Sequence, residues 1–223
     1  MSESMTENVT IVENIHQSND QIAERNHQQL QAAGVFSLNF MASPGAGKTS
    51  LIERTLHALK DSFNIAVVDG DVASSIDADR AAKAGATAVQ INTGGSCHVD
   101  ANMLHSALAE LTLEDFDLLL VENVGNLICP ASFKLGTDKN VLIASVPEGD
   151  DKPYKYPKMY QDVDALVINK IDLLPYIDFD MAYFQKGVEI LSPDLLSFPI
   201  SCKTEKGMDA WLAWLEEEIT HRS

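Results

Sequence analysis

The residues best equipped for chemistry lie in the stretch SPGAGKTS, Ser43–Ser50. Pro44, Gly45, Ala46, Gly47, Lys48, Thr49 and Ser50 follow the G-x-x-x-x-G-K-(S/T) pattern of a phosphate-binding loop, with Ala42 where the first Gly is usual. Glycines let backbone N–H groups turn inward around phosphate oxygens, Lys48 reaches the outer phosphates, and Thr49 offers a hydroxyl to magnesium. A helix opening at Lys48–Thr49 adds its positive N-terminal end. Alanine at position 42 still permits the turn.

A second constellation is NKID, Asn169–Asp172, directly after the apolar run ALVI. Asp172 can accept two hydrogen bonds from guanine, at N1–H and the 2-amino group, whereas adenine has no donor there. A carboxylate buried without partners penalises adenine, so the pattern favours a guanine nucleotide. Asn169 is expected on the purine edge, with the Lys170 stem along the ring. Ser201, Cys202 and Lys203, at the end of the following strand, form a second candidate base loop.

Acids for magnesium come from two strand ends. VVDGD offers Asp69 and Asp71, and LLLVENVG offers Glu122 with Gly125 three residues on. We take Thr49, Asp71 and Glu122 as the magnesium set, and Lys48, Asp71, Asp77 and Glu122 as the catalytic set. Asp77 is open to two readings, a water-positioning group or an ordinary carboxylate at a helix start. In P-loop GTPases a D-x-x-G motif senses the γ-phosphate; here the acid is Glu122 and the residue after the glycine is Asn126, with no Gln to orient water. Slow intrinsic hydrolysis is the expectation.

The third group is unusual beside a phosphate loop. TGGSCHVDANM places Cys97 and His98 side by side, and ENVGNLICP places Cys129 seven residues after Glu122. Thiolate and imidazole suit nickel, zinc or copper better than magnesium. Each alone reads as structural; together, on segments that both leave strand ends, they point to an open three-ligand metal site, or to one completed across a symmetric dimer. Cys202 reads as packing.

The elements that must position these groups alternate along the chain. Strand-like runs fall at 35–42, 64–71, 86–92, 116–123, 140–146, 164–170 and 195–201. Helical stretches fall at 49–61 and near 77–84, 99–111, 154–161, 179–191 and 207–221. A further helix from about Glu7 to Ala33 carries Ile11, Ile15, Ile22 and Leu30 as a loose apolar stripe. The alternation predicts an α/β fold, a P-loop NTPase with a mostly parallel, doubly wound sheet. It divides into an N-terminal helical extension, 1–34, packing on the core, and a nucleotide-binding domain, 35–223.

Composition narrows the partners. The formal net charge is −17, from 33 acidic and 16 basic residues. Phosphate backbones and anionic membranes are held by clustered Lys and Arg, so neither nucleic acid nor membrane is expected. The polar start MSESMTENVT has no signal-peptide character, no apolar run is long enough to span a membrane, and three cysteines suggest free thiols in a reducing cytoplasm.

With these residues assembled, the sequence resembles the HypB family, nickel-insertion GTPases of nickel–iron hydrogenase maturation. The resemblance is carried by NDQIAERNHQQLQAAGV, SPGAGKTSL, GDVASSIDADR, NTGGSCHVDANM, VENVGNLICP, SVPEGDDKPYKYP and NKIDLLP, and so by nearly the whole chain. It implies a dimerising GTPase of the signal-recognition/MinD-like class using GTP and Mg²⁺. Cys97, His98 and Cys129 would ligate Ni²⁺, or Zn²⁺ at the same site. It also implies delivery of nickel to the hydrogenase large-subunit precursor together with a HypA-type metallochaperone. Some members carry a Cys-rich or His-rich N-terminal stretch; this chain has neither, so no separate storage site is expected. The alternatives are a urease-type nickel GTPase and a metal-binding scaffold with vestigial turnover.

Overall fold

The computed structural model describes the backbone of residues 4–71 and 76–222; the side chains of 4–14, Asp71, Ile76 and Asp79 lie outside that description. Seven strands form one parallel sheet: β1 (Phe36–Ala42), β2 (Ile65–Asp71), β3 (Thr87–Asn92), β4 (Leu118–Glu122), β5 (Lys139–Ser145), β6 (Ala165–Asn169) and β7 (Leu196–Pro199). The spatial order is β3-β2-β4-β1-β5-β6-β7. From β1 the chain first builds one half of the sheet and then the other, so β1 marks the switch point where open α/β sheets bind ligands beyond their carboxyl ends.

The central strands β4 and β6 are buried along their whole length, as apolar strands covered on both faces are. In β4, Leu118 and Leu120 enter one core layer while Leu119 and Val121 enter another. Alternation in β6 is similar, with Ala165 and Val167 on one side and Leu166 and Ile168 on the other. One face is covered by α2 (Lys48–Leu59), α3 (Ile76–Ala84) and α8 (Met208–Arg222). The opposite face is covered by α1 (Ser4–Ala33) and α4 (Ala101–Leu108) over one half, and by α6 (Pro157–Gln161) and α7 (Met181–Leu191) over the other.

Two expectations are corrected. The helix expected over 154–161 is two short helices, α5 (Lys152–Lys155) and α6, separated at Tyr156 (φ −129°, ψ 54°). Pro157 disfavours helical geometry in the residue before it and suits the first position of the next helix. The face that α1 buries is not the isoleucine stripe. Ile15 is 54% exposed and Ile22 is half-buried, whereas Asn19, Ala23, Asn26 and Leu30 are buried; the Ile11 side chain lies outside the described residues. Asparagine works here because the neighbouring backbone offers partners. Asn26 Nδ2 donates to the carbonyls of Ala101 (2.8 Å) and Leu135 (3.0 Å), and Asn19 Oδ1 accepts from Ala101 N–H at 2.9 Å.

Candidate functional site

The phosphate loop leaves β1 as Ser43–Gly47 and enters α2 at Lys48. Gly47 caps α2 with φ +106°, and a side chain there would also strike the Asn169 amide, so only glycine fits. Ala42 needs no such freedom: it ends β1 buried in the core, with no positive φ.

Lys48 is buried among acids. Burial pushes its ammonium below the usual range, against the pull of Glu122, Asp77, Asp69 and Glu148. Glu122 is buried too, and its carboxyl is pushed up to about 7, opposed by Lys48 and by the Thr49 hydroxyl, which donates to Glu122 Oε1 at 2.7 Å. Oxygens of Asp69, Asp77 and Glu122 lie within 4.8 Å of one another. Asp69 and Glu122 are register partners on adjacent parallel strands, β2 and β4, which brings the two acids together. Asp77, in the first turn of α3, is paired with Arg80, which is held in turn by Glu53 of α2. Such a crowded carboxylate set beside a hydroxyl suits a hard divalent cation. Asp71 ends β2, but its side chain lies outside the described residues.

Beyond β6 and β7 lies a cleft of about 440 Å³ lined by Gly47, Ser50, Asn169, Asp172, Cys202 and Lys203 among others. Ser201 is fully buried, and its hydroxyl donates to Asp172 Oδ1 at 2.6 Å. Asn169 Nδ2 donates to Ala46 O (3.0 Å), while its Oδ1 accepts from Lys170 N–H (2.7 Å) and Cys202 N–H (3.3 Å). Its amide thus knits the phosphate loop to the candidate base loop, Ser201–Lys203. Lys170, at φ 63°, sends Nζ to Gly45 O at 2.6 Å, laying its stem between NKID and the phosphate loop. Cys202 is buried, and burial pushes its thiol up to about 11, which fits packing.

Sequence reasoning missed Arg54 and Glu148. Arg54 Nε donates to Cys202 O at 2.9 Å and its guanidinium pairs with Glu205, bracing the base loop from α2. Glu148 joins the Ser43 hydroxyl of the phosphate loop and accepts from Ser145 N–H at 2.8 Å. Neither belongs to a short motif; the i, i+3 spacing of Ser145 and Glu148 in a capping box was the available signal.

On the same edge, Cys97, His98 and Cys129 bring one ligand atom each within 4.8 Å of the others. Cys97 Sγ lies 2.8 Å from Cys129 Sγ and 3.7 Å from His98 Nδ1. Burial lowers the His98 pKa, favouring the neutral, ligating form, and its ring stacks on Phe133 with centroids 4.0 Å apart. The adjoining Cys97 thiol holds Cys129 above the usual thiol range. Two sulfurs and an imidazole form a soft set suited to nickel or zinc, with room for a fourth ligand. His105, by contrast, is structural, with Nδ1 2.9 Å from Asn26 Oδ1.

The segment from Glu122 to Cys129 joins the two sites. Asn123 N–H donates to Phe40 O (3.0 Å) and Asn126 N–H to Ala42 O (2.8 Å), so the segment hugs the strand that feeds the phosphate loop. A β-carbon on Gly125 would lie 3.1 Å from Pro44 Cα, so the absence of a side chain sets how closely the two loops approach. A larger, open groove of about 960 Å³ runs elsewhere, between α1 and the 130–137 segment. Among the described residues no helix is long and apolar enough to cross a membrane.

The chain is similar to known proteins in sequence and in fold. Residues 36–195 match the family described as CobW/HypB/UreG, nucleotide-binding domain. The chain is 44% identical over 215 residues to the hydrogenase maturation factor HypB of Rhizobium leguminosarum bv. viciae, covering 96% of this chain and 72% of that protein. Among solved structures it is similar to HypB from Helicobacter pylori in complex with nickel, at 39% identity and TM-score 0.87 over 92% of this chain and 96% of that one. The signal recognition particle receptor FtsY from Elizabethkingia anophelis, at 13% identity and TM-score 0.54 over 78% of this chain and 64% of that one, shares the fold alone. A phosphate loop, a parallel NTPase sheet and identity of this extent over nearly the whole chain lead to one conclusion: the chain belongs to the HypB family of hydrogenase maturation factors, within the CobW/HypB/UreG nucleotide-binding proteins.

Proposed function

We propose that this protein is a GTP-hydrolysing metallochaperone that delivers nickel to a nickel–iron hydrogenase large-subunit precursor, acting with a HypA-type partner in the cytoplasm. The observation that carries the reading is the continuity of the Glu122–Cys129 segment, which begins at an acid bonded to Thr49 and ends at a metal-ligand candidate. Its Gly125 lies against Pro44 of the phosphate loop.

In this reading Lys48 and the Gly45–Gly47 backbone hold the phosphates of GTP, and Asp172 with the Ser201–Lys203 loop selects guanine. Magnesium, held by Thr49 and Glu122 with Asp71, Asp69 or Asp77 in support, neutralises charge on the outer phosphates. With GTP bound, the γ-phosphate orders the Glu122–Gly125 turn; after hydrolysis the turn relaxes and the spacing of the nickel ligands changes. Cys97, His98 and Cys129 are the cargo ligands, and zinc is the competing ion. Hydrolysis is slow because no glutamine follows Gly125 to orient water. Residues 1–34 form an extension bracing the 35–223 domain.

An exposed three-ligand site suits a homodimer assembled with GTP in which a second copy faces the metal. Ile128, 65% exposed beside Cys129, is consistent with a covered surface there. The test is nickel insertion into a nickel-free large-subunit precursor, in extract lacking the endogenous factor. Wild-type protein with GTP should load the precursor, and Lys48→Ala or GDP should not. Equal loading by Lys48→Ala would sink the GTP-driven delivery reading and favour a scaffold.

A further inference from the structure

Two asparagines sit on the segment between the nucleotide and the thiols, and they are held differently. Asn123 is buried, and its side chain is held at both ends of the amide. Oδ1 accepts from Val99 N–H and Val124 N–H, both at 2.9 Å, and Nδ2 donates to Asn39 Oδ1 at 3.2 Å. Asn39 Nδ2 donates onward to Asn140 Oδ1 at 2.9 Å. The residue after His98 is therefore tied to a rigid chain of amides crossing the centre of the sheet.

Asn126 is half-buried and faces the thiols. Its backbone N–H grips Ala42 O at 2.8 Å, at the root of the phosphate loop. Its side-chain Nδ2 donates to Cys97 O at 3.3 Å, and its Oδ1 accepts from Ile128 N–H at 2.8 Å. One residue thus holds the phosphate loop through its backbone and both cysteine-bearing segments through its amide. It occupies the position after Gly125, where a water-orienting group would sit, yet its side chain is spent on the metal loop.

We propose that Asn126 is the positioning residue that carries nucleotide state to the metal site, its amide setting the relative placement of Cys97 and Cys129. The inference rests on the nickel-switch reading above and deepens it by naming the link. Movement of the turn at Gly125 shifts the Asn126 backbone, and the amide passes that shift to both sulfurs. Asn123 keeps the His98 side fixed, so the displacement changes ligand spacing instead of translating the whole site. Partners outside the ligand set commonly tune metal affinity in this way, and chains of hydrogen bonds between two sites are one carrier of coupling.

The experiment measures Ni²⁺ affinity of the full-length protein with GDP and with a non-hydrolysable GTP analogue, following the thiolate charge-transfer band. In the wild type the ratio of the two affinities is expected to lie between about 5 and 150. In Asn126→Ala the ratio should fall below about 3, with nickel still bound in both states. Asn126→Asp, which keeps the acceptor for Ile128 N–H and loses the donor, should behave alike; thermal unfolding checks that both variants are folded. A wild-type ratio of one would overturn the switch reading and the inference with it. A wild-type switch preserved in either folded variant would overturn the inference alone. Loss of nickel binding in both states would mark Asn126 as merely structural and overturn it equally.

Discussion

The base cleft and the thiol–imidazole site sit on one edge of the same sheet but are built in opposite ways. Asn169 ends a fully buried strand, Ser201 is fully buried, and the Asn169 amide bonds three backbone groups. Cys97 is exposed, His98 and Cys129 are half-buried, and all three lie in loops outside any strand or α-helix. The cleft is held by buried hydrogen bonds, so the base recognition proposed for it would cost little reordering on binding. The candidate metal ligands Cys97, His98 and Cys129 are held by a few loop contacts, as the proposed release of a cargo ion would require. A rigid grip on the switch molecule and a loose grip on the cargo is the division of labour we propose.

The largest effect that can break this comparison belongs to the rigid half. Asp172→Asn removes a charged acceptor for guanine, and two charge-assisted hydrogen bonds at about 1.5–3 kcal/mol each imply roughly a thousandfold loss of GTP affinity by calorimetry. Nickel affinity in the nucleotide-free protein should not change; if it falls with GTP affinity, the two regions are not separately built. Cys129→Ala should do the reverse, lowering nickel affinity at least about 100-fold, the upper range for losing even an outer-shell partner, with GTP affinity intact.

Asn26→Ala sharpens the contrast further. It removes two donated bonds and the contact with His105, which should cost about 2 kcal/mol in urea denaturation. Because these bonds anchor α1 to segments around Ala101 and Leu135, nickel affinity should drop while guanine discrimination holds. Gly125→Ala has the smallest expected effect. Its new methyl meets Pro44, and overpacking of about 1–3 kcal/mol should weaken binding of a GTP analogue about tenfold more than binding of GDP. Equal weakening of both would mean that the turn does not sense the γ-phosphate.

Much of this was legible in the sequence for specific reasons. The central strands β4 and β6 were readable because each is an apolar run buried on both faces, and the phosphate-loop and NKID patterns because phosphate and guanine chemistry fix residue types at fixed spacing. Cys97, His98 and Cys129 were readable as a set because their segments leave strands on the same edge. The face of α1 was not, since Asn19 and Asn26 are buried by backbone acceptors and donors that lie more than 70 residues away. The sequence offered Asp69 and Asp71 alike, but the approach of Asp69 to Glu122 needed the pairing of β2 with β4, which hydrophobic pattern does not give. Arg54, Glu148 and the side-chain role of Asn126 depend likewise on contacts between segments distant in sequence.

The central claim is that nucleotide state sets the nickel site. Its most direct test is a pair of Ni²⁺ titrations of the wild-type protein, one with GDP and one with a non-hydrolysable GTP analogue, read with the sedimentation coefficient. The account predicts affinities that differ by at least about fivefold, with a change in assembly state between the two. Equal nickel affinities in both states would contradict it and leave the two sites as neighbours without a link.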